Sequence, residues 1–137
     1  MKMPVRTIYG LQALFEISLH GEPEGAKATE IAQAQGIPLK FLEQILAALK
    51  KNKLVRSYRG REGGYVLSRP PKEITLLEVI EALEGTVLLT GEDRRKGIVV
   101  QKLKEIETKF IAELKKVTFG DLVEEKLKKE KISVYSI

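Results

Sequence analysis

Residues 35–38, Gln-Gly-Ile-Pro, separate two stretches with helical periodicity, and this four-residue break constrains the fold more than any other feature of the chain. "ATEIAQAQG" reads as a compact helix stopped by Gly36, and Pro38 suits the opening turn of the helix in "IPLKFLEQILAALKKNK". The first of these helices starts either at Lys27 or with Thr29 as its cap. The second carries Leu42, Ile45, Leu46 and Leu49 on one face, a stripe that must be buried. Two helices joined by so short a link have the form of a helix-turn-helix.

The opposite face of the second helix carries Lys40, Glu43, Gln44 and Ala47 at spacings of three and four, continued by Lys50 and Lys51. Gln pairs with adenine, Glu accepts from the cytosine amino group, and Lys reaches guanine or a phosphate. A solvated polar face would carry the same residue types, so the helix alone leaves both readings open.

The following segment favours a polyanion. Residues 38–72 hold nine Lys/Arg against two Asp/Glu, whereas residues 1–37 hold three against four and residues 73–137 twelve against thirteen. The formal net charge of +5 therefore resides in one quarter of the chain, an electrostatic footprint for nucleic acid before an anionic membrane. Within that quarter "LVRSY" and "YVLSR" flank "RGREGG" and end at Pro70-Pro71, predicting a β-hairpin. A helix-turn-helix followed by a hairpin is a winged helix. A tip nearly bare of side chains can enter a narrow groove, where Arg59 or Arg61 meets the negative potential of the minor groove. An ordinary exposed turn is the plainer alternative. A phosphate-binding P-loop is excluded by the spacing and by the lack of a terminal Lys-Ser/Thr.

Several function classes drop out on residue inventory. Without cysteine the chain offers no disulfide, thiolate nucleophile or cysteine-held iron-sulfur cluster. The single histidine, His20, sits beside Gly21 at the expected end of a helix, and no nucleophile-base set accompanies it. No enzyme is expected. "MKMPVRTIYG" has no apolar h-region and no run suits a bilayer span, so a cytoplasmic chain is expected.

The run "EIAQAQGIPLKFLEQILAALKKNKLVRSYRGREGGYVLSRPPKEITLLEVIEALEG", residues 30–85, resembles the Rrf-type winged-helix transcription regulators. The resemblance rests on the IA of helix two, FLEQIL, the S-x-R-G-x-x-G-G-Y-x-L wing and the I-T-x-x-x-V-I-x-A-L-E-G helix. "IYGLQAL" at the front and "TFGDL" near the end extend it over nearly the whole chain. It implies a mainly α fold with a small β-hairpin: a winged helix-turn-helix DNA-binding domain over 1–90, then a long dimerisation helix and C-terminal tail over 91–137. It implies a homodimeric repressor on an inverted-repeat operator, with the recognition helix in the major groove and Arg59 in the minor groove. The residues it sets against double-stranded DNA are Lys27, Thr29, Pro38, Leu39, Lys40, Glu43, Gln44, Lys51, Arg59, Gly60, Arg61, Gly63 and Gly64. A protein-protein interaction module using the basic surface is the alternative.

Two departures from the family pattern stand out. Cluster-sensing members carry three cysteines after the A-L-E-G motif, where this chain reads "TVLLTGEDRRKGIVVQKLKE", which points to the cluster-free branch of the cysteine-metabolism repressor and to no cofactor. Lys27, Leu39 and Lys40 stand where hydroxyl residues are usual in the family, so no particular operator carries over. A cluster-free regulator can answer to a metabolite, to a regulatory protein or to its own concentration; the residues name no effector.

The rest of the chain predicts helices and a seam. "TIYGLQALFEISLH" carries Ile8, Leu11, Phe15 and Leu19 at helical spacing with Leu14 beside them. "TLLEVIEALEG" begins with Thr75 as N-cap and Glu78 at the capping-box position, and is expected to bury Leu76, Val79, Ile80 and Leu83. In "IVVQKLKEIETKFIAELKKV", Val99, Leu103, Ile106, Phe110, Leu114 and Val117 alternate by threes and fours, a seam for a second helix. An intramolecular core stripe would have the same period; the resemblance implies a twofold mate. The tail suggests a short helix from near Asp121 followed by a loose or strand-like end.

Overall fold

The computed structural model describes residues 2–58, 63–85 and 96–135. Six α-helices and a two-stranded hairpin follow in the order α1 (Val5–Ser18), α2 (Ala28–Gln35), α3 (Leu39–Lys51), β1 (Val55–Ser57), β2 (Tyr65–Leu67), a 3-10 turn (Pro71–Glu73), α4 (Leu76–Glu84), α5 (Ile98–Lys116) and α6 (Phe119–Tyr135). This is a helix-turn-helix with a wing, mainly α with a small β-hairpin, extended by a long helix and a returning one.

Gly36 ends α2 in the left-handed conformation (φ 65°, ψ 38°), which a residue with a side chain adopts only at a cost. The N–H of the next residue, Ile37, donates to the Ala32 carbonyl at 3.0 Å, and its side chain is buried. The turn is thus plugged into the core and holds α3 at a fixed angle to α2. Pro38 precedes the first helical residue of α3 rather than lying inside its first turn. The expected stripe is in place, since Leu42, Ile45, Leu46 and Leu49 are all buried. They share one core with Ala13, Leu14 and Ile17 of α1, Ile31 of α2, Val55 of β1 and Val79 and Leu83 of α4.

The hairpin is antiparallel, with Val55 opposite Leu67, Arg56 opposite Val66 and Ser57 opposite Tyr65. A third segment joins it. Ala26 exchanges two backbone hydrogen bonds with Tyr65, at 2.9 and 2.7 Å, so the link between α1 and α2 pins the base of the wing. Gly25 makes this approach possible: its φ is 65°, and a Cβ there would lie 2.5 Å from the Tyr65 carbonyl oxygen.

Three expectations are corrected. The buried face of α1 is Thr7, Gly10, Ala13, Leu14 and Ile17, while Ile8 is exposed and Leu11 and Phe15 are half-buried. The axis of burial follows Gly10, where α4 comes so close that an added Cβ would lie 2.2 Å from Leu83 Cδ1. In α4 the buried residues are Leu77, Val79, Ile80 and Leu83, so Leu77 joins the expected set and Leu76 is only half-buried, although the capping box at Thr75 and Glu78 forms as expected.

The tail is not a short helix, and it is not strand-like through Tyr135; Ser136 and Ile137 lie outside the described residues. α6 starts at Phe119 and runs for 17 residues. Thr118 and Asp121 cap it reciprocally, the Asp121 N–H donating to Thr118 Oγ1 at 3.1 Å and the Thr118 N–H to Asp121 Oδ2 at 3.0 Å. Phe119 is fully buried in the core shared with α1 and α3. Backbone hydrogen bonds from Leu76 N–H to the Val117 carbonyl and from Phe119 N–H to the Ile74 carbonyl fasten the start of α6 beside the start of α4.

Candidate nucleic-acid interface

α3 separates its residues by face. With its leucine and isoleucine stripe in the core, Lys40, Glu43, Gln44, Ala47 and Lys51 are exposed together on the outer side. Among the described residues, none of the four polar side chains in this group has an internal hydrogen bond or ion pair. Their neighbours in the basic quarter differ. Lys50 Nζ donates to Ser57 Oγ at 2.7 Å, Arg56 pairs with Glu22, and Arg69 pairs with Glu78. Lys72 pairs with Asp121 at 3.1 Å and Glu124 at 2.9 Å. The structure thus engages many of the cations around the helix while leaving the outer row of α3 available.

The other expected residues distribute as follows. Thr29 and Lys27 are exposed at the start of α2; Lys27 occupies the N-cap position, and its ammonium cannot accept a hydrogen bond, so only the half of a capping box in which the Glu30 carboxylate accepts from the Lys27 N–H, at 3.2 Å, is present. Lys27, Tyr58, His20 and Glu24 line one open cleft, which brings the start of α2 to the base of the wing. His20 itself is a helix-end surface residue, its Nε2 3.1 Å from Glu16 Oε2. Pro38 and Leu39 are exposed at the start of α3, where no side chain caps the helix. Gly64 is buried, with the Glu24 carbonyl oxygen 3.0 Å from where its Cβ would be, and so serves the approach of the α1–α2 link; Gly63 is half-buried. Arg59, Gly60 and Arg61 lie outside the described residues.

A second surface lies on α5. Ile98, Val99, Leu103, Ile106 and Phe110 are exposed, Ile98 at 82% and Val99 at 69%, whereas Leu114 and Val117 are half-buried within the chain. Sequence reading missed Ile98, the exposed Phe41 of α3 and Tyr58 at the base of the wing. Ile98 was legible as the apolar residue immediately before the seam, and Phe41 as an apolar residue off the α3 stripe.

Residues 3–125 match the Rrf2 family, described as iron-dependent transcriptional regulators. The chain belongs to this family. A putative HTH-type transcriptional regulator of Mycobacterium tuberculosis is 40% identical over 85 residues, which cover 62% of this chain and 53% of that protein. The match thus takes in about half the length of that relative. A putative HTH-type transcriptional regulator of Synechocystis is 30% identical over 128 residues, covering 89% of this chain and 87% of that one. Among solved structures, CymR, the global cysteine regulator of Bacillus subtilis, superposes with a TM-score of 0.81 at 30% identity, over 91% of this chain and 98% of its own. The family is one of transcriptional regulators, not enzymes, and it favours the DNA-facing reading of the basic surface over a protein-interaction module.

The family's iron dependence does not transfer through cysteine ligation. The chain has no cysteine, so it cannot hold a cysteine-ligated iron-sulfur cluster. Among the described residues no group of three His, Asp or Glu side chains is placed to hold a metal ion. Nor is any described helix long and apolar enough to cross a membrane.

Proposed function

We propose that this chain is a sequence-specific, DNA-binding transcription regulator that works as a homodimer in the cytoplasm and represses by occupying an operator. The observation that carries the reading is the outer row of α3, where Lys40, Glu43, Gln44 and Lys51 are exposed and unpartnered among the described residues. α3 enters the major groove with its N-terminal half against base edges. Gln44 and Glu43 read bases, Lys40 reads guanine or holds a phosphate, and Lys51 holds a phosphate. Lys27 and Thr29 at the start of α2 contact the flanking backbone, and Arg59 and Arg61 of the wing reach the adjacent minor groove, the glycines around them allowing close approach.

The dimer forms through α5. An isolated chain exposing Val99, Leu103, Ile106 and Phe110 on one helix leaves in water an apolar face that a second copy would cover. Leu114 and Val117 continue that face toward the C-terminal end of α5, where both are half-buried. A twofold axis through this seam sets two α3 helices about one DNA turn apart, roughly 34 Å, on an inverted repeat.

The test is selection of bound duplexes from a random pool by the purified protein, with affinity of the winners followed against salt. An enriched inverted repeat and a steep fall of affinity with log salt are expected. Absence of any enriched sequence overturns specific recognition, and enrichment of a single half-site overturns the dimer.

A further inference from the structure

The outer side of α3 is not wholly polar. Phe41 is 59% exposed and Leu39 is 41% exposed, and neither belongs to the core cluster. Both lie in the first turn, at about 100° per residue on opposite flanks of the row formed by Lys40, Gln44 and Ala47. The row reads as a polar ridge with an apolar side chain on each shoulder. Phosphates and the hydrogen-bonding edges of bases offer such side chains nothing, and deoxyribose carbons, alike at every nucleotide, offer contact without sequence information. The major groove has one apolar feature, the C5-methyl group of thymine, and side chains of this kind contact it.

Resting on the DNA-binding reading above, we propose that the first turn of α3 reads thymine methyl groups through Leu39 and Phe41, so that the operator carries thymine at one or more positions facing that turn. Lys40 and Gln44 then distinguish bases by hydrogen bonding, while the two apolar shoulders distinguish thymine from cytosine by the methyl alone. Covering a methyl group removes apolar surface from water at both partners, which favours association wherever the fit is close. The side chains cost the fold little to change, because both lie outside the core.

The experiment uses the full chain and the duplexes it selects. Each thymine of the winning site is replaced in turn by uracil, which removes the methyl and leaves every hydrogen-bonding group in place. Affinity is measured for the unaltered protein, for Leu39→Ala, for Phe41→Ala and for the double variant, with thermal unfolding confirming that all are folded. At one or more positions the unaltered protein is expected to lose about three- to tenfold in affinity, and the double variant less than about twofold. The proposal is overturned if no thymine-to-uracil change matters, or if the loss persists undiminished in the double variant. Failure to select any site instead removes the DNA-binding reading itself, and the two failures are told apart by whether specific binding is present.

Discussion

α3 and α5 solve opposite problems with similar residue types. α3 buries Leu42, Ile45, Leu46 and Leu49 and leaves Lys40, Glu43, Gln44 and Lys51 without internal partners among the described residues. α5 exposes Ile98, Val99, Leu103, Ile106 and Phe110 while pairing Lys102 with Glu105 at 2.9 Å and Lys116 with Glu113 at 3.1 Å. A helix with its apolar stripe uncovered gains most from an apolar mate, whereas one whose stripe is buried has only its polar face to offer a partner. The contrast teaches that the partner a helix can take is set by which residues the fold leaves unsatisfied, more than by composition: both helices are lysine-rich, yet α5 leaves an apolar row uncovered and α3 a polar one.

The largest effect is expected from breaking the α5 side. Leu103→Asp with Phe110→Asp places charges in the seam, and sedimentation equilibrium should report monomers with unchanged helix content. Operator affinity should fall by about a hundredfold or more, because each half-site then binds without the effective concentration supplied by its twin. A dimer that survives both changes removes α5 from the interface. On the α3 side, Gln44→Ala should cost about 1–3 kcal/mol at the base it reads and relax the preference there, with the dimer intact. Binding to mutated operators measures this, and an equal loss on every sequence would reassign Gln44 to the backbone.

A smaller, uniform loss is expected from Lys51→Ala. Affinity should weaken alike for all duplexes, and the slope of log affinity against log salt should fall by about one phosphate contact. A sequence-dependent loss would move Lys51 into base readout. The smallest effect concerns the exposed charge pair between Lys72 and the first turn of α6. The Thr118 N–H, then Lys72 and the Thr118 hydroxyl, hold the Asp121 carboxyl below the ordinary carboxylate range, so its contribution to stability is present above that range and disappears as pH falls through the lowered value. Glu124 first, then Asp121, raise the Lys72 ammonium, whose contribution is present below the ordinary lysine range and is lost as pH rises through the raised one. Asp121→Asn should therefore flatten the acid limb of a stability-pH profile and leave DNA binding unchanged; a shift in operator affinity would tie this corner to the DNA-facing side.

Local chemistry made α2, α3 and the start of α4 legible. Gly36 and the Thr75–Glu78 box act within a few residues, and the α3 stripe is strong because four large aliphatic side chains face one way. α1 was misread because its contact with α4 is set by the absence of a side chain at Gly10, and periodicity weighs large residues over small ones. α6 carried a readable signal in Thr118-Phe-Gly-Asp121, but Gly120 in its first turn masked it; that glycine is needed because a Cβ there would lie 2.6 Å from Lys72 Cγ. The α3 face was found by spacing, yet which cations of the basic quarter are already engaged depends on tertiary placement: Lys50 on Ser57 of the hairpin, and Arg56 and Arg69 on Glu22 and Glu78, which are distant in sequence or on another element.

The short strap at Val117–Phe119 has a mechanical meaning. α5 is 19 residues long, about 28 Å, and its C-terminal end is tied to Ile74 and Leu76 at the foot of α4 by backbone hydrogen bonds and by the buried Phe119 ring. As a rigid rod held at this strap it would work as a lever: a tilt of about 10° there would carry the far end about 5 Å along an arc of that length. In a twofold assembly held through α5, such a tilt would change the reach between the two reading heads by a good part of a base-pair step or more, without altering a single residue that faces DNA.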